Sequence, residues 1–525
     1  MIERIIEYSI RNRFIVIATF LAVIATGIYA VVNTPVDAIP DLSENQVIVF
    51  TDWMGRSAQE IEDQITYPLS VNLQGLAGVK SVRSSSEFNF SMINIIFDDG
   101  IDFYFARQRV LERLTLASTF LPAGAVPYMA PDATALGQIF WYTVEGTGID
   151  PGRLRAIQDW YVRYQLNSVP GVAQVASVGG YPIEYQIDVD PSRLRAFGVT
   201  LGEFVSAVAR SNSAVGGRVV HKGNAEYIIR GVGWIESPRD IENLVIRIDT
   251  RKGTPVYLSN IAKVSLGTQF RRSVLEKNGD EVTGGVVLMR YGENPLAVTR
   301  GIKQKILELQ AGLPEGVRIV PFYDRTRLIE GAIHTLAEVL THETIIASLA
   351  ILLILGHVGS AFVICLTLPL AVLVSFILMR HFGIASNIMS LSGVAISIGI
   401  LVDQAIVMVE NATHTLTAHF GTNKVSGDTR ELIIPACRMV GRPIFFSVII
   451  ILISFLPVFA LTGQEGKTFH PLAFTKSFAM VGVAIISITL VPALIPTFIR
   501  GRLHTEEESW IVRSMIDIYK PVLTW

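Results

Sequence analysis

Long apolar runs mark both ends of the chain, and a stretch of mixed texture separates the first run from the rest. Six of them, by this reading, reach the roughly 18 residues needed to cross a bilayer. One extends from Phe14 to about Val32, and the others begin near Thr344, Ala361, Asn387, Ile444 and Phe474. Ahead of the first, Ile2, Ile5, Ile6 and Ile10 fall on one helical face, which predicts a short interfacial helix feeding that span. No A-x-A-like cleavage site follows, so residues 1–33 read as interfacial helix plus first span and not as a signal peptide.

About 310 residues without a membrane-length run lie between spans one and two. Their pattern is that of a mixed α/β unit. Gln46 to Thr51 reads as a strand, and Ser57 with Glu60 forms a capping-box pattern that opens a helix ending near Gly75. Ser91 to Phe97 is a second strand, followed by a helix from Asp102 to Phe120 that Pro122 stops. The β-α-β-β-α-β texture then recurs. Asp150-Pro151 starts a helix through Leu166, Gly179-Gly180 joins two strands, and Asp190-Pro191 opens another helix. Asn278-Gly279 marks a hairpin, and Pro295 begins a helix reaching about Ala311.

The expected fold class is an α-helical membrane protein plus an α+β outer domain, with six transmembrane helices and βαβ-sandwich subdomains. One sandwich covers 34–130 and a second combines 131–180 with 271–335, interrupted by an inserted lobe at 181–270. Within the lobe, Asn212 to Ile229 is either an arm reaching a neighbouring subunit or a mobile loop. Residues 336–500 hold spans two to six. In the last segment, 501–525, Trp510, Ile511, Met515 and Ile518 at helical spacing behind Glu506, Glu507 and Glu508 predict an amphipathic helix on the cytoplasmic face. Pro521 to Trp525 then reads as the opening of a seventh span, so a second half is expected to follow.

Charge sets the orientation. Arg4, Arg11 and Arg13, then Lys424, Arg430, Arg438 and Arg442, then Arg500 and Arg502 share one side if the N-terminus is cytoplasmic, with Arg380 the exception. The large mixed unit then lies outside. Half of the residues are hydrophobic and only 17% charged, and the net charge of −2 argues against a nucleic-acid binder. Two cysteines, Cys365 and Cys437, are too few for a disulfide scaffold or a thiolate zinc cage.

The fourth span carries the informative chemistry. Asp403 sits well inside an otherwise apolar helix, where a carboxylate costs roughly 2.5–3.5 kcal/mol unless it is neutralised or paired. Glu410 lies two helical turns on and faces the same way. Together they make either a proton stepping path or static partners for polar groups on other helices. Gly463 to Thr468 imitates the end of a phosphate loop, but Leu461 stands where its first glycine belongs. No nucleophile–base constellation and no tight histidine spacing is present, which argues against an enzyme, and without a nucleotide-hydrolysis signature a pump would have to draw on an ion gradient.

Layout and motifs together resemble the heavy-metal efflux branch of the resistance-nodulation-division superfamily. The motifs are Thr34 to Asp41, Pro131 to Thr134, Ala176 to Gly180, Tyr323 to Arg325, Val402-Asp403, Val409 to Asn411, Gly463 to Gly466 and Pro471 to Lys476. The copper/silver-type pumps look closest, and the chain would be the N-terminal half of such a pump. The resemblance implies two porter subdomains with a docking subdomain at 181–270, and a homotrimer in the bacterial inner membrane with its large domain periplasmic. It further implies partners in a periplasmic adaptor and an outer-membrane channel. Proton antiport would run through Asp403 and Glu410, with a metal ion as cargo and no resident cofactor. Soft Cu(I) and Ag(I) favour thioethers, and Met389, Met408 and Met480 stand where that branch carries path methionines. Leu401, Ile495 and Phe270 replace their companions, while Ser397 stands where cobalt-zinc-cadmium-type pumps carry an extra aspartate. The competing readings are an exporter of organic solutes in the same superfamily and a truncated, non-transporting structural subunit.

Overall fold

The structure, a computed structural model, describes residues 1–248, 253–271, 273–355, 357–421, 423–501, 503 and 510–525. The helices of the membrane part are α1 (Ile2–Arg11), α2 (Arg13–Asn33), α3 (Thr326–Leu355), α4 (Val358–Phe382), α5 (Ile388–Phe420), α6 (Arg430–Ser454), α7 (Gly463–Phe498) and α8 (Trp510–Thr524). Among the described residues five stretches are long and apolar enough to cross a membrane: α2, α4, α5, α7, and α6 with its extension to Ala460. Helix α3, which holds the run beginning near Thr344, is not one of them. Arg327, Glu330, Glu338 and Glu343 lie along its first 18 residues, and residues 344–355 are mostly apolar. The stretch expected to start α8, including Glu506 to Glu508, lies outside the described residues.

Helix α7 is the most buried of the set, and α4, α5 and α6 pack around it. The apolar face of α1 is taken by protein and not left for lipid. Ile6 and Ile10 are fully buried against α6 and α7, and a Cβ on Gly441 of α6 would lie 2.3 Å from Ile6 Cδ1. Glu7 pairs with Arg438, and Arg11 with Glu431 at 3.0 Å, on its polar side. Arg380, the stray cation of the orientation pattern, has a local use. It donates to the Asn33 carbonyl at the end of α2 (2.7 Å) and lies 5.0 Å from the Tyr29 ring centroid, so it caps a helix C-terminus.

The outer unit is built from β1 (Gln46–Asp52), β2 (Val79–Glu87), β3 (Phe90–Phe97), β4 (Val126–Met129), β5 (Gln138–Gly146), β6 (Val172–Gly179), β7 (Ile183–Val189), β8 (Val215–Lys222), β9 (Ala225–Gly231), β10 (Val245–Ile248), β11 (Pro255–Tyr257), β12 (Ala262–Thr268), β13 (Leu275–Lys277), β14 (Asp280–Met289) and β15 (Val317–Asp324). A first antiparallel sheet runs β2–β3–β1–β4. Val47, Val49 and Thr51 alternate inward on β1, toward helical segments Ala58–Gln74 and Phe103–Ala117. A second sheet runs β13–β14–β5–β15, with β6 also on β14, and is covered by helical segments Pro151–Asn167 and Pro295–Gln310. The first covering helix of each sheet contains a π turn, at Glu62–Thr66 and at Gln158–Val162. In the second, buried Gln158 takes a hydrogen bond from Tyr142 (3.0 Å), whose phenol burial pushes well above its ordinary range.

Between the halves of the second sheet, β7 pairs with β12 beside the β10–β11 ribbon. The segment from Asn212 to Ile229 forms a β8–β9 ribbon whose every residue is exposed, with no third strand paired to it among the described residues. Both Asn278 (φ +57°) and Gly279 (φ +89°) adopt the left-handed geometry of the two-residue hairpin between β13 and β14.

Candidate proton-carrying helix

Helix α5 starts where Asn387 caps it. The side-chain oxygen accepts from the N–H groups of Met389 (3.1 Å) and Ser390 (2.9 Å), and Ser390 Oγ accepts from the Asn387 N–H (2.7 Å). Its closest approach is to α7. A Cβ on Gly393 would lie 2.3 Å from Thr475 Oγ1 and 2.5 Å from the Leu472 carbonyl oxygen, so only glycine permits this contact.

Burial divides α5 into two sides. Ala405, Met408, Val409, Ala412 and Leu416 are buried in the bundle. Ile396, Gly399, Asp403, Val407, Glu410 and His414 are exposed, and their spacing of three and four residues makes one continuous stripe. Asp403 and Glu410 therefore share a face, roughly 10 Å apart along the axis, and the other described helices of the chain do not cover that face. The neighbouring polar residues point inward. Gln404 Oε1 accepts from Ser447 Oγ (3.3 Å), and Asn411 Nδ2 donates to the Ala436 carbonyl (2.8 Å), both on α6. These bonds fix the rotation of α5 that turns Asp403 outward.

The three methionines do not gather. Met389 is half-buried at the head of α5, while Met408, nineteen residues on, is fully buried at roughly 28 Å along the same axis. Met480 is buried on α7, one turn past Lys476, whose carbonyl is level with Ser397 (3.5 Å). That places Met480 at an intermediate depth. Among the described residues no group of three or more His, Cys, Asp or Glu side chains could hold a metal ion. Cys365 and Cys437 are free thiols on separate helices, and His414 and His419 are exposed.

Lys476, which closes the motif from Pro471 to Lys476, has a chemistry of its own that the motif does not announce. It is 7% exposed, and its Nζ lies 3.4 Å from the Phe455 ring centroid, a cation held by an aromatic face. The signal was present: a lone lysine in the apolar stretch of α7 carries the same desolvation argument as Asp403 in α5.

The chain joins a bundle of apolar helices, one carrying an acid in mid-span, to two mixed α/β sandwiches. The profile of the AcrB/AcrD/AcrF family matches residues 5–525. Cation efflux system protein CusA of Escherichia coli (strain K12) is 43% identical over 530 residues, covering 100% of this chain and 50% of its own length. Cobalt-zinc-cadmium resistance protein CzcA of Cupriavidus metallidurans is 37% identical over 535 residues, with the same coverage. The crystal structure of a heavy metal efflux pump superposes with a TM-score of 0.83 at 33% identity, over 93% of this chain and 48% of that one. The chain belongs to the AcrB/AcrD/AcrF family of resistance-nodulation-division transporters and corresponds to the N-terminal half of its heavy-metal efflux branch. It spans about half the length of the curated relatives it matches.

Proposed function

We propose that this chain forms half of a proton-driven exporter of heavy-metal cations in the bacterial inner membrane, working as a homotrimer with its large unit periplasmic. A periplasmic adaptor and an outer-membrane channel complete the path. In this reading α3 holds the second of six spans, residues 34–130 and 131–180 with 271–335 are porter subdomains, and 181–270 docks on the partners. The β8–β9 ribbon reaches a neighbouring subunit.

One observation carries the reading: Asp403 and Glu410 share a stripe that this chain's own described helices leave uncovered. A carboxylate facing hydrocarbon costs several kcal/mol, so a second half would cover the stripe and face Asp403 with polar groups. A carboxyl there changes protonation at a cost that the covering groups set, which is what coupling to a proton gradient requires. The cargo is a metal of the Cu/Ag or Zn/Cd/Co/Ni class, and the relatives' names favour metal over organic solutes. Met389, Met408 and Met480 would contact a soft cation in succession along a path and not in one cage.

The test is transport in proteoliposomes holding the full-length protein. With a proton gradient imposed, wild type moves metal and protons together, and Asp403→Asn moves neither while still binding metal. Undiminished transport by Asp403→Asn overturns the reading.

A further inference from the structure

Three of the motif segments, 34–41, 131–134 and 323–325, take no part in the relay, and the structure brings them to one place. The chain leaving α2 runs beside the residues that open α5, in a parallel bridge between Val36 and Ser386. Ser386 N–H donates to the Pro35 carbonyl (2.8 Å), Asp37 N–H to the Ser386 carbonyl (2.8 Å), and Ile388 N–H to the Ala38 carbonyl (3.1 Å). On its other side the same segment grips the second sandwich. The Asp37 carboxylate takes the Arg325 guanidinium at 2.8 Å, and Arg325 is 4% exposed. Arg325 also donates from its guanidinium to the Leu136 carbonyl and from its backbone to the Ile139 carbonyl (3.1 Å). Thr134 Oγ1 donates to Asp41 (2.9 Å). Arg325 itself stands between β15 and α3.

We propose that Asp37 and Arg325 are positioning residues that carry displacement of the acid-bearing helix α5 into the second outer sandwich. The proposal rests on the proton-driven reading above. A helix is a stiff rod, and Asp403 lies roughly 24 Å from the head of α5 at 1.5 Å per residue. Movement imposed at Asp403 therefore arrives at residues 386–388, where three backbone bonds pass it to 35–38. From there the ion pair of buried Arg325 with half-buried Asp37 is the charged link to the β5–β15 end of the sheet. A buried guanidinium holds its carboxylate because water cannot replace that partner. The first sandwich is tied to a different helix. Lys467 at the start of α7 reaches Asp99 (2.7 Å) and the Ser43 carbonyl (2.8 Å). The two sandwiches thus answer to different rods, and a shift of α5 relative to α7 becomes a shift of one sandwich relative to the other.

The experiment uses the full-length protein in proteoliposomes, with spin labels at Glu62 on the first sandwich and Gln304 on the second in a cysteine-free background. In wild type, acidifying the outer side changes the distance between the labels, and metal is transported. Asp37→Asn and Arg325→Gln are expected to abolish the distance change and lower transport about 10-fold, with metal affinity unchanged. The reversed pair, Asp37→Arg with Arg325→Asp, is expected to restore both to within about 3-fold of wild type. Single variants that keep the distance change, or a reversed pair that recovers nothing, overturn the proposal. An Asp403→Asn control separates the two failures. If it transports normally, the proton-driven reading is wrong; if it is silent while Asp37→Asn behaves as wild type, only the joint is wrong.

Discussion

Placing a methyl group on Gly393 tests how α5 is seated. The new Cβ would lie 2.5 Å from the Leu472 carbonyl oxygen. Real contacts of this kind stay beyond 3.0 Å, so the backbone of α7 must retreat by at least about half an ångström. The Thr475 hydroxyl can swing aside, but a carbonyl inside the most buried helix of the bundle cannot. Overpacking of this sort costs about 1–3 kcal/mol. Gly482 of α7 provides the contrast. A Cβ there would meet Val374 side-chain atoms at 3.1 Å, which a few tenths of an ångström relieve, so Gly482→Ala is expected to cost less than about 1 kcal/mol. Reversible unfolding of the full-length protein in SDS-containing mixed micelles measures both. Gly393→Ala should be the less stable variant and should transport more slowly, because the Asp403 stripe shifts with the helix. Equal stability, or a larger loss at Gly482, would refute the claim that α5 and α7 meet backbone to backbone.

Three further outcomes follow from single contacts. Burial pushes the Glu145 carboxyl up, but Lys277, Thr143 (2.6 Å) and Arg318 (3.3 Å) outweigh it and hold it below the ordinary value of 4.5. A depressed carboxylate stabilises the fold above its unfolded pKa and loses that contribution as pH falls through its folded value. The urea midpoint of the outer unit, read by tryptophan fluorescence, should therefore drop below about pH 4.5 more steeply in wild type than in Glu145→Gln. With φ near +89°, Gly279→Ala should cost the same unit about 1 kcal/mol, while Asn278→Gly should cost less than half as much by the same assay. Lys476→Met replaces a buried ammonium over Phe455 with an apolar chain of similar length. Micelle unfolding should register a change under about 1 kcal/mol, since lost cation–π attraction offsets relieved desolvation.

Local elements were legible because their signals are local. The Ser57–Glu60 capping box is present in the structure, as is the Asn278-Gly279 hairpin, and α5 begins at the Asn387 cap. The helical period of α5 is likewise enough to place Asp403 and Glu410 on one face. What the pattern could not supply was the identity of the surface each face meets. The isoleucines of α1 have the spacing of a lipid-facing helix, yet α6 and α7 cover them, and only tertiary packing distinguishes the two solvents. Methionine positions along one helix say nothing about convergence until depths are compared, and Met389 and Met408 lie far apart. The Asp37–Arg325 pair joins residues 288 apart in sequence, a distance over which no periodicity carries information.

The account depends most on whether the Asp403 carboxyl gains and loses a proton during turnover. Difference infrared spectroscopy on the full-length protein in lipid, triggered by metal, reads this directly. A protonated-carboxyl band should rise and fall in step with transport and be missing from Asp403→Asn. A carboxyl that stays in one protonation state throughout turnover, with metal still moving, would contradict it.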